Sequence, residues 1–471
     1  LRAGTRLTQD VAVGSMLHLD SSLFQKGFAN YDVIGGYGVA VAEGANLALN
    51  MPVMQLDLPV ARQLANGGDL SQVASLWLPP EFSESPEKGS ISQRGGADLS
   101  LTAGFEYKQQ DVDPSGPTLS VGKAAHISVD DGRNIILQGS GQITVDGALR
   151  ASGGKIGIYG LSAGSEDVRH LKGHDGSIWL GSNAVLDVSG KAMTAVDTQG
   201  QRYGKVLNGG RIEIGSKYQQ AATQVKAIDS FVIVREGARL LASGAAATLD
   251  MPGQGAQTIA SNGGVIHLAS FNGLYLDGDM QAWAGGANAA GGTLSVALES
   301  PNYEMSGGPS DRVLAHREMT LVQEQQLENL PLDLQAGRAD AGLVYGHARL
   351  GVDRIQAGGF DNLALLSNGI LSIENGVDLQ MGQSLHLATP KIALAPGSMP
   401  GATVKLAAPH VRLAGATHPT RDKYVTPLIQ ALNSNEGRLP ELLPDSYLRI
   451  DANVLDIANQ IAFGALGRSL Q

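Results

Sequence analysis

The chain has 471 residues, more than the roughly 100–200 of one globular domain, so it forms either two or three domains or one elongated repetitive body. Glycine supplies 62 residues without collagen's every-third spacing, and only 5% of residues are aromatic against 43% hydrophobic, which favours a narrow interior of Val, Ile, Leu and Ala. The absence of cysteine excludes a disulfide scaffold, a thiolate metal site and a cysteine nucleophile, and a net charge of −11 argues against a basic face for nucleic acid or anionic lipid.

Residues 1–58 read as short strands and turns, already under way by Val11–Leu19. Residues 59–119 read as an excursion, with helix-like spacing at Val73, Leu76 and Trp77 inside Pro59–Glu87 and then a Pro-rich loop. Residues 120–300 carry the clearest repeat. A short alternating apolar strand is followed by a Gly or Asp-Gly turn, another strand, and a Gly-Gly or Ser-Gly corner. Copies lie at Gln142–Ile158, Gly176–Gly190, Gly209–Ile214 with Phe231–Gly244, and Gly263–Leu298. Equivalent strand starts fall at Ile156, Ile178, Ile212 and Ile266, at widening intervals, and the shortest, from Ile156 to Ile178, reads as one coil. The polar segments Ser165–Asp175, Ala192–Asn208 and Lys217–Ala227 then read as loops.

Residues 301–347 form a second excursion, in which Leu314, Met319, Leu321 and Leu327 within Asp311–Leu330 suit a short amphipathic helix. Strands resume over 348–418, at Ile370–Ile373, Val377–Leu379, Leu385–Leu387, Ile392–Leu394, Val404–Leu406 and Val411–Leu413. Residues 419–447 combine helical character at Tyr424–Leu432 with a linker containing Pro440 and Pro444, and 448–471 begin another coil. Within one copy, Ile143, Val145, Leu149 and Ala151 alternate with polar or small residues and form an inward face that one coil cannot bury alone. Coils stacked in parallel at about 4.8 Å bury it. The expected fold is therefore all-β, a parallel β-helix (solenoid) with a few inserted loops and short helices, of about 15 coils and about 70 Å.

The string from Gly263 to Ser300, GGVIHLASFNGLYLDGDMQAWAGGANAAGGTLSVALES, resembles the body of filamentous-haemagglutinin-like large exoproteins, the cargo of two-partner secretion. Similar phrasing recurs at Ile143–Ile158 and Ile178–Gly190, and the resemblance covers roughly Ser120–Leu298. It implies a right-handed β-helix exported through an outer-membrane β-barrel transporter and displayed at the bacterial surface or secreted. It also implies an adhesive role towards a host-cell or bacterial surface receptor or a polysaccharide. The family's secretion domain carries Asn-Pro-Asn motifs, and this sequence contains no Asn-Pro; with Leu1 first and Gln471 last, it reads as an interior or C-terminal piece. A stalk of a toxin-delivery exoprotein, with its effector beyond Gln471, is a further alternative.

β-Helices also carry polysaccharide lyases and hydrolases, whose sites need clustered acids or acids beside a base. Asp130 and Asp131, with Arg133, His174 and Asp175, form the best such cluster, although Asp130-Asp131-Gly132 also reads as a turn. Asp146, Asp187 and Asp277 recur at what read as equivalent corners, as a calcium ladder or as solvated turns. His170 and His174 have the spacing of metal ligands, but in a Gly-flanked loop. Gly160-Leu161-Ser162-Ala163-Gly164 matches a nucleophile elbow without an α/β-hydrolase around it. Trp179, Tyr275 and Trp283 lie on or beside strands as platforms for sugars or as packing under an inserted loop, with Trp283 outward by alternation. No catalytic residue, cofactor, metal or nucleic-acid partner is expected; no membrane-spanning segment is expected, and the ligand is unspecified.

Overall fold

The computed structural model describes residues 17–463 except 66, 105–116, 162–176, 223–224, 226–229, 271, 299–317, 329, 331–333, 337–342, 345, 368, 416–444 and 460. Most of these residues lie in strands, and two parallel sheets of eleven strands each run through the molecule. Within either sheet, nearly every strand pairs with one of its own kind from the preceding and following repeat. In the first sheet the pairing stacks Tyr31, Leu99, Ile135, Ile156, Ile212, Ile266, Leu294, Leu363, Leu385, Val411 and Leu455 in one column. In the second, Leu119, Ile143, Ile178, Val232 and Leu274 do the same. A third, six-stranded sheet contributes Leu47, Ile127, Leu149, Leu186, Leu240 and Met280. Except for the exposed Leu455, these columns meet in one continuous, largely aliphatic core, and Phe24, on a 3-10 turn at Ser21–Gln25 that touches the strand Asn46–Ala48, is buried in it.

The alternation at Ile143, Val145, Leu149 and Ala151 is as expected, all four being buried. The repeat length needs correction. Ile156, Ile212 and Ile266 share one column, but Ile178 belongs to the second sheet, so the interval from Ile156 to Ile178 is a step between sheets and not one coil. A plain repeat runs instead from Ile135 to Ile156, which are direct register partners. Eleven strands at about 4.8 Å give a body of about 50 Å, shorter than expected. Part of the remaining described chain goes into inserted hairpins.

These hairpins share a position. The inserts at 49–97, 189–209 and 244–262 all follow a third-sheet strand and precede a first-sheet strand. Antiparallel ribbons pair Val53–Leu56 with Ala74–Trp77, Phe82–Ser85 with Ser90–Gln93, Ala192–Val196 with Arg202–Val206, and Ala246–Met251 with Gly255–Ala260. Residues 192–208 are therefore a hairpin rather than a loop. Likewise Val73, Leu76 and Trp77 do not share a helix: among the described residues there, only Leu58–Ala61 and a 3-10 turn at Leu70–Gln72 are helical, and Ala74–Trp77 is a strand. The 59–119 range also contains the first-sheet strand Asp98–Ala103. Ser165–Asp175 lies outside the described residues, as does most of 419–447.

The second expected helix is overturned over Glu318–Val322, while Leu314 lies outside the described residues. Met319 and Leu321 sit on a core strand, Glu318–Val322, where their two-residue spacing puts both on the buried face of the pleat, as a helix would not. That strand and the later His347–Gly351 are inverted in order: His347–Gly351 lies between Gly273–Leu276 and Glu318–Val322. A helix appears where strands were expected, at Val352–Ala357. Val352 and Ile355 turn into the core, and Arg354 bonds Asp279 at 2.8 Å. The helix touches the strands Asp279–Gln281 and Asp378–Gln380, so it stands between the six-stranded sheet and a three-stranded one that follows. The strands expected over 370–413 and 448–457 are present.

The Gly-Gly corners have a steric cause at the entry to the first sheet. The amides of Arg211, Val265 and Thr293 bond the carbonyls of Gly154, Gly210 and Gly264 one layer away at 2.8–2.9 Å. A Cβ on Gly264 would lie 1.9 Å from the Gly210 carbonyl oxygen. Gly264→Ala is expected to destabilise by about 1–3 kcal/mol, the usual range for forced overpacking. Denaturant unfolding followed by far-UV circular dichroism measures it, and a midpoint equal to wild type contradicts this account.

Candidate functional site

Asp130 and Asp131 sit on the turn before the strand Asn134–Gly139, and both side chains are buried. Arg94 grips Asp130 with two bonds, of 2.6 and 3.0 Å, and donates a third to the Pro79 carbonyl. Lys191 reaches Asp131 at 3.0 Å and Glu81 at 3.4 Å, and its ammonium lies over the Phe82 ring. Glu81 accepts a bond from the Asp131 amide at 2.7 Å. Burial pushes the Asp131 carboxyl up; the Lys191 ammonium opposes that and the Glu81 carboxylate adds to it. The acids thus fasten the base of the hairpin at Phe82–Gln93, and also Lys191 from the next insert, to the body. Arg133 lies beside the stem of Asp130 at Gly96, while His174 and Asp175 lie outside the described residues.

The three corner aspartates are not equivalent. Asp146 and Asp277 follow second-sheet strands and Asp187 ends a third-sheet strand. In the column of Asp146 and Asp277 the intervening positions are Gly181 and Arg235, so no row of carboxylates forms. Each aspartate caps a neighbour instead: Asp146 takes the amide and side chain of Asn183, Asp187 the Ser189 amide, and Asp277 the Glu328 amide. Among the described residues no group of three or more His, Asp or Glu side chains could hold a metal. His170 lies outside the described residues, as do Ser162, Ala163 and Gly164; Gly160 ends a first-sheet strand.

Of the aromatics, Trp179 and Tyr275 share an outward column on the second sheet with Ile233 between them, yet both are buried. Leu343 covers them together with Leu330 and Leu334, and the Tyr275 hydroxyl accepts the Val344 amide at 2.7 Å. Arg235 stacks over Trp179. Packing under an inserted segment is thus the outcome for both. Trp283 faces outward and is half exposed, against Gly359.

Two features escaped the sequence. On the outer side of the first sheet, fully buried His267 shares bonds with Ser216 at 2.8 Å and Ser295 at 3.0 Å, with Tyr218 against its ring. Its register neighbour Glu213 is bonded by the Tyr159 hydroxyl, Arg211 and the Tyr218 amide. Burial lowers the His267 pKa to about 4 against the pull of Glu213. Strands of alternating apolar and polar residues show that a histidine faces outward; they do not show that the chain after Ile214 folds back over it. The second feature is the ribbon Val53–Leu56/Ala74–Trp77. Met54, Leu56, Leu76 and Trp77 are exposed, as are Leu58, Val60 and Leu78 around it. Its signal in sequence was the uncharged quartets themselves, VMQL and ASLW, obscured by a three-residue spacing that also suits a helix.

No protein-family model, curated protein or solved structure matches the chain. By its own architecture it is an all-β protein of long parallel sheets, and no helix among the described residues is long and apolar enough to cross a membrane.

Two measurements probe these clusters. Arg94→Ala strands the buried Asp130 carboxylate and is expected to destabilise by about 3 kcal/mol; denaturant midpoints of the variant and wild type give the value, and no change contradicts the clamp. For His267 the folded pKa lies below the ordinary 6.5, so the unfolded chain binds the proton more readily. Its contribution to stability is complete above pH 6.5 and is lost as pH falls towards 4. The size is about 3 kcal/mol. His267→Gln is expected to flatten the stability curve between pH 7 and 4.5 by about 2–3 kcal/mol, and identical curves for the two proteins contradict the assignment.

Proposed function

We propose that the chain is a right-handed parallel β-helix and serves as an adhesive stalk of a filamentous-haemagglutinin-type exoprotein. In that reading it leaves the cell through an outer-membrane β-barrel transporter and stands at the bacterial surface or in the medium. There it attaches the bacterium to host cells, other bacteria or extracellular polysaccharide. The observation that carries the reading is the body itself: parallel sheets that repeat in register over one aliphatic core, with hairpins emerging at one corner. Such a body is stiff along its axis because every layer is bonded to the next, and it spaces whatever it bears. The repeated strand-turn phrasing over 120–300 and the family resemblance point the same way.

The enzymatic alternative, a β-helix polysaccharide lyase or hydrolase centred on Asp131, is less well supported. Asp130 is held by Arg94 and Asp131 by Lys191, both carboxylates are buried, and the whole set is used in fastening a hairpin. A general base or nucleophile needs a lone pair aimed at substrate. Among the described residues the cluster points its acids at its own cations.

Surfaces coated with the purified chain are expected to retain epithelial or bacterial cells several-fold above albumin-coated surfaces, and equal retention would remove the adhesive reading. Small-angle scattering addresses the body separately. A rod-like cross-section of constant radius is expected, and a profile that fits a sphere would refute the β-helix whatever the adhesion assay shows.

A further inference from the structure

We propose that the apolar ribbon formed by Val53–Leu56 and Ala74–Trp77 is a self-association surface, and that its occupant is the same face of a second copy of this chain. The antiparallel register sets Met54 opposite Leu76 and Leu56 opposite Ala74, so these four share one face, while Val53, Gln55, Ser75 and Trp77 share the other. The first face is wholly apolar and turned to solvent, with Met54 63%, Leu56 50% and Leu76 53% exposed. Neither strand contains a charged residue.

A two-stranded ribbon with both faces in water is marginal by itself. This one is closed at its end by the Asp57 amide, which donates to the carbonyl of the buried Val73 at 2.8 Å. Elsewhere the molecule solves the same problem by packing hairpin on hairpin: the ribbon at 192–206 lies against that at 246–260, where Arg202 grips Asp250 at 2.9 Å. The 53–77 ribbon has no such neighbour among the described residues. The charges that usually guard exposed strands against pairing are also missing from it.

Several features favour a second copy over a lipid surface or an unrelated partner. An anionic membrane is disfavoured by the acids beside the ribbon, Asp57, Asp69 and Glu81, and by the net charge of −11. A uniform face of Met, Leu and Ala is complementary to itself about a two-fold axis, giving two layers about 10 Å apart. With Leu58, Val60 and Leu78 included, the patch amounts to on the order of 500 Å². That is the largest patch size expected of a monomer and somewhat less than the roughly 800 Å² per partner of a standard interface, so a micromolar dimer is expected. The inference does not rest on the adhesive reading; it requires only the ribbon.

Sedimentation velocity on the full chain, from about 1 to 100 µM, reads the outcome. Wild type is expected to pass from monomer to dimer over that range, and Leu76→Asp to stay monomeric with unchanged thermal unfolding. Because the added charge could also loosen the ribbon, a second variant works without it. The chain has no cysteine, so Ser75→Cys, on the opposite face, takes a single spin label. Face-to-face packing then gives an inter-copy distance below about 35 Å, two layers plus the label arms. A monomer at every concentration overturns the proposal. So does a dimer indifferent to Leu76→Asp, a label distance beyond that range, or ribbon-dependent binding to phosphatidylcholine vesicles by a chain that stays monomeric.

Discussion

Neighbouring strands in a parallel sheet are held about 4.8 Å apart by their backbone bonds, and that distance governs what each position of this protein can hold. A side chain that points inward must rest on its equivalent one layer below, so like stacks on like: Ile135, Ile156, Ile212 and Ile266 form one such file. Branched aliphatics of that thickness fill the file without voids, which explains why so few aromatics are needed. At the corner before the first sheet the same spacing brings backbone against backbone, and a Cβ on Gly210 or Gly264 would strike the carbonyl beneath it. Composition, turn chemistry and core are consequences of one distance.

A body so constrained can vary only where the chain leaves it. The inserts at 49–97, 189–209 and 244–262 exploit a single corner, and they bind one another and the body by ion pairs: Arg94 with Asp130, Lys191 with Asp131 and Glu81, and Arg202 with Asp250. Polar chemistry that looked catalytic in the sequence is used to hold appendages in place. The same logic explains His267, kept neutral beneath a returning segment with both ring nitrogens engaged. The 53–77 ribbon breaks this pattern because its apolar face is left exposed among the described residues, and it therefore offers surface for a partner.

The layers also tolerate two local departures. The helix Val352–Ala357 replaces a strand in the third sheet by offering Val352 and Ile355 to the core, and the strand His347–Gly351 enters the second sheet ahead of a segment that precedes it in the chain. Both are permitted for the same reason. The core asks each layer for apolar volume at a given place, and does not ask which element or which part of the chain delivers it.

The strand pattern, the parallel stacking, the inward residues at Ile143, Val145, Leu149 and Ala151, and the glycine corners were all legible in the sequence, because they follow from period-two alternation and local turn chemistry. What the sequence left open depends on contacts between distant residues. Ile178 resembles Ile156 and Ile212, yet only the stacking assigns it to another sheet. Leu76 and Trp77, spaced three and four residues from Val73, suit a helix until a neighbouring strand is present to pair with them. Asp130 and Asp131 have the same letters whether they await a substrate or hold Arg94 and Lys191, which belong to separate inserts on either side of them in the chain. Alternation is written into each segment by itself; pairing partners, burial beneath returning chain and the fate of a charge are decided only when the segments meet.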